Sequence, residues 1–312
     1  MQKIDFGERK MYTELFNLIG MMILLAGTGY VLSVIGLITK EGKKCITSLV
    51  VNVVLPCNII AAFSQQLPAG IWSSLAVVLA VAVTAQVLST LAARVCYNKL
   101  PDKERTVLRY ATVCSNAGFM GNPLALGVFG DIGLLYASVY LIPQRIVMWS
   151  AGISYFSGEK DHKAMVKKVI THPCIIAVGV GLVLMILQIR LPGALGDTVD
   201  ALSSCCTALS FLVIGSILAE IPLKTIFNGK LLLFSAQRLL ILPALLHIIC
   251  LLAGVDNGIT GVCVLLTAMP AGTTTSLLAA MYHGDEIFAT KCIVLTTLLS
   301  LLTTPLWCWI LL

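Results

Sequence analysis

The sequence predicts an all-α polytopic membrane protein, with ten transmembrane helices arranged as two inverted five-helix repeats. Composition is the first observation, because 58% of the 312 residues are hydrophobic and only 12% are charged, against roughly 25% charged in a soluble domain. The second is a series of apolar runs that reach the about 20 residues needed to cross a bilayer. The third is a pair of Gly/Pro interruptions at corresponding places in the two halves. Such a chain has no room for a sizeable soluble domain, which excludes a dinucleotide-binding enzyme, a nucleic-acid-binding module and a receptor with a large ectodomain.

The ten predicted spans are apolar runs bounded by charged residues or by glycine and proline. They cover residues 13–37, 46–66, 71–97, 107–128, 133–156, 169–189, 194–219, 231–253, 257–282 and 287–312. The longest polar connection, 158–168, is predicted to be cytoplasmic and separates a first half, 1–157, from a second half, 169–312. Because each half has an odd number of spans, the second half must insert upside down relative to the first.

Lysine and arginine predict the orientation in the cell membrane. Of the 21 basic residues, 15 lie in connections that alternate with nearly uncharged ones. Since basic residues accumulate on the cytoplasmic side, both termini are predicted to lie outside. The net charge of +6 is explained by these connections rather than by a basic ligand-binding face. Most of the eleven cysteines lie in apolar runs without the spacing of a metal site, so zinc is not expected.

The fourth and ninth predicted spans contain the two interruptions. The fourth is broken at 116–123, which reads Asn-Ala-Gly-Phe-Met-Gly-Asn-Pro, and the ninth at 269–273, which reads Met-Pro-Ala-Gly-Thr. Similar exits follow the two breaks, at 128–131 and 282–285. Paired broken helices in two inverted halves indicate the binding site of a secondary transporter.

Each break exposes backbone amides and carbonyls at membrane depth, which persists only where protein or a water-filled cavity surrounds them. Polar side chains flank both breaks: Asn116, Asn122, Thr273, Thr274, Thr275 and Ser276. Three roles are open for them. They coordinate Na⁺, they bind a carboxylate, or they satisfy the loosened backbone of a proline-kinked helix.

The ionisable residues inside the spans point to an anion. All acidic residues fall at span ends or in connections, whereas Arg145 and Arg238 lie deep in predicted spans. A buried arginine costs about 2.5–3.5 kcal/mol at a helix centre and keeps its proton. One or both are therefore predicted to face a cavity and hold an anionic ligand, and the alternative is capping of backbone carbonyls at a break. His247 in the eighth span is either a proton carrier or a hydrogen-bond partner between helices.

Residues 48–63, 116–123, 269–282 and 295–305 together resemble the auxin efflux carrier family of permeases. That family is related to PIN-type auxin carriers and, more distantly, to bile acid/sodium symporters. The resemblance covers essentially the whole chain and implies two inverted repeats in which helices 4 and 9 cross at their breaks. It also implies a scaffold of helices 1, 2, 6 and 7, an elevator-like transport domain formed by the others, and a homodimer through the scaffold.

The resemblance further implies a small organic anion as substrate, such as malate, malonate or an auxin-like acid, carried without a cofactor and coupled to Na⁺ or H⁺. The residues predicted for substrate binding are Asn116, Gly118, Asn122, Pro123, Arg145, Arg238, Pro270, Gly272, Thr273 and Thr274. Those predicted for ion coupling are Asn116, Thr273, Thr275, Ser276 and His247. Sodium coupling is not inherited automatically, because residues 273–276 stand where the sodium-dependent relatives have acidic and glutamine side chains.

The alternative functions are a membrane sensor or a channel without carrier activity. A channel would show a pore-lining ring or a filter sequence, and an intramembrane enzyme would need a nucleophile with a base or a metal cluster. Neither pattern is visible in the spans, so we predict a transporter and no enzymatic activity. Saturable, gradient-dependent flux separates a carrier from a sensor.

Overall fold

The computed structural model of the 312-residue chain describes residues 6–64, 71–149, 155–156, 170–171, 173–220, 222 and 226–312. The regular structure of these residues is helical. The α-helices are α1 Phe6–Val34, α2 Lys40–Leu49, α3 Leu55–Phe63, α4 Ile71–Cys96, α5 Asp102–Val113, α6 Asn122–Trp149, α7 Pro173–Ile186, α8 Gly193–Leu218, α9 Gly229–Ala236, α10 Leu242–Leu252, α11 Asn257–Thr267, α12 Thr274–Met281 and α13 Glu286–Leu311.

Six helical stretches are long and apolar enough to cross a membrane: Lys40–Ala61, Ile71–Cys96, Ala117–Met148, Gly193–Leu218, Gly229–Leu252 and Glu286–Leu311. Shorter apolar helices cover Gly20–Val34, Pro173–Leu184 and Asn257–Thr267. The predicted all-helical membrane protein is confirmed at this level, whereas the count of ten spans and the inverted arrangement stay predictions. The predicted connection 158–168 lies outside the described residues.

Two helices extend beyond the predicted spans at their amino ends. Helix α1 is described from Phe6 onward and α5 begins at Asp102, whereas the predicted spans begin at residues 13 and 107. The helices extend through charged residues that an apolar run excludes. Acidic residues in the first turn of α5, Asp102 and Glu104, interact favourably with the positive end of a helix.

Three π-helical segments interrupt the long helices, and each ends two residues before a proline. They are Val50–Val54 before Pro56, Ala117–Gly121 before Pro123, and Gln237–Ile241 before Pro243. Proline has no N–H and clashes with the carbonyl four residues earlier, and a π-bulge accommodates that clash by widening the helix. The carbonyl four residues before Pro243 is that of Leu239, and Trp307 Nε1 donates to it over 2.7 Å.

Both predicted exits contain a residue with left-handed backbone. Helix α6 turns at Gly130, where φ is 67° and ψ is −158°, a conformation essentially confined to glycine. The predicted boundary between the fourth and fifth spans therefore lies at this turn within α6. In the second exit, His283 has a φ of 57°. Asp285 then begins α13 by accepting a hydrogen bond from the N–H of Phe288 over 2.8 Å.

One group of helices packs through glycine. Helix α1 runs along α8, where a Cβ on Gly215 would lie 1.9 Å from the carbonyl oxygen of Ala26 and a Cβ on Gly29 would lie 2.2 Å from a carbonyl oxygen of α8. Helix α3 packs on α7, where a Cβ on Gly181 would lie 2.8 Å from Phe63. Small residues permit such close backbone approach between helices in a membrane. These four helices form one closely packed unit.

The remaining long helices surround the two interruptions. Helix α6 packs against α4 and α11, and α13 packs against α5, α11 and α12. Apolar side chains at the end of α11, among them Leu265 and Leu266, are fully buried. The interrupted segments between α5 and α6 and between α11 and α12 consequently lie inside the helical assembly rather than at its surface.

Candidate functional site

The two interruptions lie directly against each other. Ser115 and Ala271 form an isolated antiparallel bridge. Two backbone hydrogen bonds flank it, Asn116 N–H to Pro270 O at 2.7 Å and Gly272 N–H to Cys114 O at 2.9 Å. Glycine is needed at 272 because an added Cβ would lie only 3.0 Å from the Cys114 carbonyl oxygen. We call residues 114–116 and 270–272 the crossing.

Each residue of the bridged pair is also held by the long helix that follows it in the chain. Ser115 Oγ donates to Gln144 Oε1 and Gln144 Nε2 donates to the Ser115 carbonyl, both at 2.8 Å. The N–H of Ala271 donates to Thr296 Oγ1 over 3.2 Å. Helix α6 therefore holds one segment of the crossing, residues 114–116, and α13 holds the other, residues 270–272.

Side chains donate hydrogen bonds to the backbone carbonyl groups at the helix ends next to the crossing. Arg238, which is buried, donates from Nη1 to the Thr112 carbonyl over 3.2 Å and from Nε to the Met269 carbonyl over 3.1 Å. Gln86 Nε2 donates to the Val113 carbonyl over 3.2 Å. The last carbonyls of a helix have no partner within it. Arg238 thus takes the capping position that the sequence left open as an alternative.

A tyrosine connects this cap to α4. The hydroxyl of Tyr97 donates to Gln237 Oε1 and lies 3.0 Å from Thr112 Oγ1. Gln237 precedes Arg238 in the π-helical segment, and Thr112 is the residue whose carbonyl Arg238 binds. The position of the guanidinium is therefore fixed from α4, α5 and the eighth predicted span together.

Among the predicted site residues that flank the two breaks, three have buried polar atoms without a hydrogen-bond partner among the described residues. They are Nδ2 of Asn116, both Nδ2 and Oδ1 of Asn122, and Oγ1 of Thr275. Asn122 and Thr275 are fully buried and Asn116 is 3% exposed. Leaving a buried polar group unpaired costs about 1–3 kcal/mol, so each of these atoms calls for an explanation. All three residues lie at the start of a helix that leaves the crossing.

Arg145 differs from Arg238 in its partners. It is 5% exposed, and its Nη1 atom has no hydrogen-bond partner in the part of the chain that the structure describes. It follows Gln144, the residue that holds Ser115. The ion pairs of the described residues are Lys43–Glu220, Arg105–Asp102 and Lys230–Glu104, so neither buried arginine is in a described ion pair. A guanidinium donor is therefore available on the residue that follows the Ser115-binding Gln144 in the chain.

Two of the predicted hydroxyl groups are already engaged. Thr274 Oγ1 accepts a hydrogen bond from the buried Tyr110 hydroxyl over 3.0 Å and donates to Met148 Sδ over 3.7 Å. Ser276 Oγ donates to the Thr273 carbonyl over 3.2 Å. Thr274 thereby holds the first turn of α12 to α5 and α6, whereas Ser276 bonds within that turn.

The remaining predicted positions shape the backbone or lie apart. Gly118 belongs to the π-helical segment Ala117–Gly121 and Pro123 to the first turn of α6. A Cβ on Gly118 would lie 4.0 Å from Leu55 of α3. His247 lies nine residues beyond Arg238, about 13 Å along a helix, and its ring packs edge-on against Trp307. Its Nδ1 atom is buried and has no hydrogen-bond partner among the residues that the structure describes. The described residues contain no group of three or more His, Cys, Asp or Glu that would hold a metal.

Several polar residues that build the crossing were not predicted from the sequence. Gln86, Tyr97, Ser115, Gln144 and Gln237 all bind residues of the crossing or of the helix ends beside it. A usable signal was present, because a glutamine immediately precedes each of the two intramembrane arginines.

Asn58 of α3 is a further missed residue. It is 2% exposed, its Nδ2 donates to Ser203 Oγ of α8 over 3.0 Å, and its Oδ1 atom is unpartnered. Asn58 lies one turn beyond Leu55, the residue that faces Gly118. A polar group of the glycine-packed helices therefore lies near the side of α3 that approaches the crossing.

Comparison with known proteins identifies the family. The model of the membrane transport protein family matches residues 11–167 and 160–308. The chain is 26% identical over 292 residues to an uncharacterized transporter of Methanothermobacter thermautotrophicus, covering 92% of this chain and 95% of that protein. It is 25% identical over 303 residues to an uncharacterized transporter of Methanocaldococcus jannaschii, covering 93% and 97%. It is also 25% identical over 209 residues to a putative malonate transporter of Rhizobium meliloti, covering 64% and 65%.

The relatives and the family are transporters rather than enzymes, in agreement with the membrane-spanning helices. Because the family model matches nearly the whole length, the chain belongs to the membrane transport protein family, the auxin efflux carrier family that its motifs resemble.

Proposed function

We propose that this protein is a secondary carrier of a small organic anion, such as malate, malonate or an auxin-like acid, which binds beside the crossing. The observation that carries the proposal is the set of buried, unpartnered polar atoms on Asn116, Asn122 and Thr275. Amide and hydroxyl groups donate hydrogen bonds to carboxylates. The relative named as a putative malonate transporter supports a carboxylate as the substrate class.

We assign the charge that offsets the anion to Arg145. Its Nη1 atom has no partner in the described part of the chain, whereas Arg238 already donates to two carbonyls. An arginine binds a carboxylate through two parallel hydrogen bonds, and such charge-assisted bonds are the stronger ones. The backbone around Gly118, Pro123, Pro270 and Gly272 and the hydroxyl of Thr273 complete the proposed binding surface. Thr274 supports this surface through its hydrogen bonds to Tyr110 and Met148.

We further propose that residues 1–157 and 169–312 are inverted repeats. Two relations support this proposal. Helix α1 packs on α8 through glycine, and α3 packs on α7 through glycine. In the proposed repeat, α1 corresponds to α7 and α3 to α8, so each of these two contacts is the counterpart of the other. Likewise Ser115 is held by Gln144 and Ala271 by Thr296, each from the helix that follows the break.

The proposed movement is of the elevator type. The glycine-packed helices α1, α3, α7 and α8 are the scaffold, and the helices around the crossing form the transport domain. The close backbone packing within the first group supports its role as the fixed part, since cores packed in this way deform little. Coupling to Na⁺ or H⁺, a homodimer through the scaffold and an outside location of both termini belong to the same proposal.

The first test measures the melting temperature of the purified protein with malonate, malate or indole acetate, in sodium and in potassium buffer. A ligand that binds only the folded state raises the midpoint by mass action. We expect a shift with at least one carboxylate in the parent protein and a smaller shift in Asn116→Ala. Asn98→Ala, at an exposed position, serves as the matched control. No shift with any carboxylate from a folded sample would defeat the anion proposal, and an equal shift in Asn116→Ala would move the site away from the crossing.

Saturable uptake in proteoliposomes distinguishes the carrier from a sensor. We expect accumulation of the carboxylate that gave the shift, driven by its own gradient and saturating with concentration. Binding without flux would make the protein a sensor. Discrete current steps would instead indicate a channel.

A further inference from the structure

Arg238 joins the ends of two different helices. Helix α5 ends at Val113 and α11 at Thr267. Arg238 binds the Thr112 carbonyl of the first and the Met269 carbonyl just beyond the second, 126 and 31 residues away in sequence. The carboxyl end of a helix carries partial negative charge and unsatisfied carbonyl groups. Two such ends that converge on one point therefore favour a cation there.

The Arg238 guanidinium lies between these two helix ends, and its described partners include no carboxylate. Arg238 is 3% exposed, and the ion pairs of the described residues involve other side chains. The neighbouring donors are neutral, namely Gln86 on the Val113 carbonyl and the Tyr97 hydroxyl beside Thr112. The positive charge is thus balanced by carbonyl dipoles. Carbonyl oxygens of unwound backbone and half-helix carboxyl ends are also the groups that coordinate coupling cations in transporters with broken helices.

We propose that Arg238 is a tethered cation that occupies, at the ends of α5 and α11, the place a free coupling cation would take. The crossing is then held together without Na⁺. Because arginine keeps its proton at any working pH, this charge stays with the protein whether substrate is bound or not. Sodium coupling at this position is excluded, and any ion coupling uses other groups. That the crossing is stable without Na⁺ does not depend on the substrate. That Na⁺ is not coupled at this position rests on the proposed carrier function.

The test uses Arg238→Ala, which removes the charge and leaves the carbonyl groups of Thr112 and Met269 without their donor. Melting temperatures are measured in sodium, potassium and choline chloride, and with guanidinium at millimolar concentrations far below the denaturing range. We expect the parent protein to melt at the same temperature in the three salts. Arg238→Ala should melt about 5 °C lower or more, and added guanidinium or Na⁺ should recover a substantial part of that loss.

Gln86→Ala is the matched control. It removes a neutral donor from the Val113 carbonyl, the next carbonyl along the same helix end. If Arg238 were only a structural cap, the melting temperatures of Arg238→Ala and Gln86→Ala would respond to guanidinium and Na⁺ in the same way. We expect Gln86→Ala to lose stability without recovery by guanidinium or by Na⁺, because no positive charge was removed.

Two results overturn the proposal. One is an Arg238→Ala protein whose stability does not respond to guanidinium or Na⁺. The other is a parent protein that Na⁺ stabilises as strongly as it stabilises the variant. Should Arg238→Ala fail to fold, Arg238→Lys and Arg238→Gln replace it, and a Gln variant at least as stable as the Lys variant contradicts the tethered charge. These melting experiments contain no carboxylate, so their outcome is separate from the failure or success of the anion proposal.

Discussion

Gln144 and Ser115 are joined by two hydrogen bonds of 2.8 Å that use both amide atoms of the glutamine and both the hydroxyl and the carbonyl of the serine. A side chain fixed at both ends has one rotamer, and its backbone is fixed with it. The next residue of α6 is Arg145, so the same contact sets the position of this arginine relative to the crossing. The buried Nη1 atom of Arg145 is therefore presented from a rigid support.

Arg145→Gln should weaken anion binding while the protein stays folded. Hydrogen bonds to charged groups contribute about 1.5–3 kcal/mol, so we expect the malonate affinity to fall about 10- to 100-fold. Isothermal titration with malonate measures the change. Arg190→Gln is the control, since Arg190 is exposed in the connection between α7 and α8. Equal affinities for the parent protein and Arg145→Gln would remove Arg145 from the proposed site.

Asn122→Leu should separate stability from binding. Leucine has nearly the shape of asparagine, and both amide atoms of Asn122 are buried without a partner in the part of the chain that the structure describes. Without ligand, we expect the variant to be as stable as the parent protein or more stable by up to about 1 kcal/mol. With malonate, the rise in melting temperature should disappear. Asn52→Leu, at an exposed position of the π-helical segment 50–54, should keep the malonate response. A strongly destabilised Asn122→Leu would instead show that the amide serves the backbone.

Gly29→Ala and Gly27→Ala should have opposite effects although both lie in α1. A Cβ on Gly29 would lie 2.2 Å from the Leu212 carbonyl oxygen, whereas nothing lies within 4 Å of a Cβ on Gly27. Overpacking typically costs about 1–3 kcal/mol, while alanine in place of an unhindered helical glycine stabilises by about 0.5–1 kcal/mol. Thermal unfolding in detergent gives the comparison. Similar melting temperatures for the two variants would contradict the close packing of α1 on α8.

Trp307→Phe should destabilise the π-helical segment before Pro243. It removes the indole donor from the Leu239 carbonyl, which leaves a carbonyl unpaired at a cost of about 1–3 kcal/mol. Trp309→Phe is the control, because Trp309 lies two residues further along α13 and is 64% exposed. We expect a lower melting temperature for Trp307→Phe alone, measured by differential scanning fluorimetry. A loss of the same size in both variants would assign the effect to ring size.

Much of the fold could be predicted because its signals are local. Apolar runs predict membrane-spanning helices, and the Gly/Pro breaks at 116–123 and 269–273 were placed at the segments that meet in the structure. The polar residues at those breaks, Asn116, Asn122 and Thr275, were also predicted, since an amide or a hydroxyl inside an apolar run stands out. Helices α1 and α5 extend beyond the predicted spans at their amino ends, because a helix can continue past the apolar residues from which a span is predicted.

The sequence by itself determined that the chain crosses a membrane, that two helices break, and which polar residues flank the breaks, because hydrophobicity and the backbone limits of glycine and proline act within a few residues. Only the tertiary structure decided what each buried polar group binds. Arg145 and Arg238 are alike in sequence, each in an apolar span and each after a glutamine. In the folded chain, Arg238 donates to two helix ends, while Nη1 of Arg145 has no partner among the described residues. Those partners lie up to 126 residues away, so helix packing, which sets the direction of each side chain, decides between the two roles.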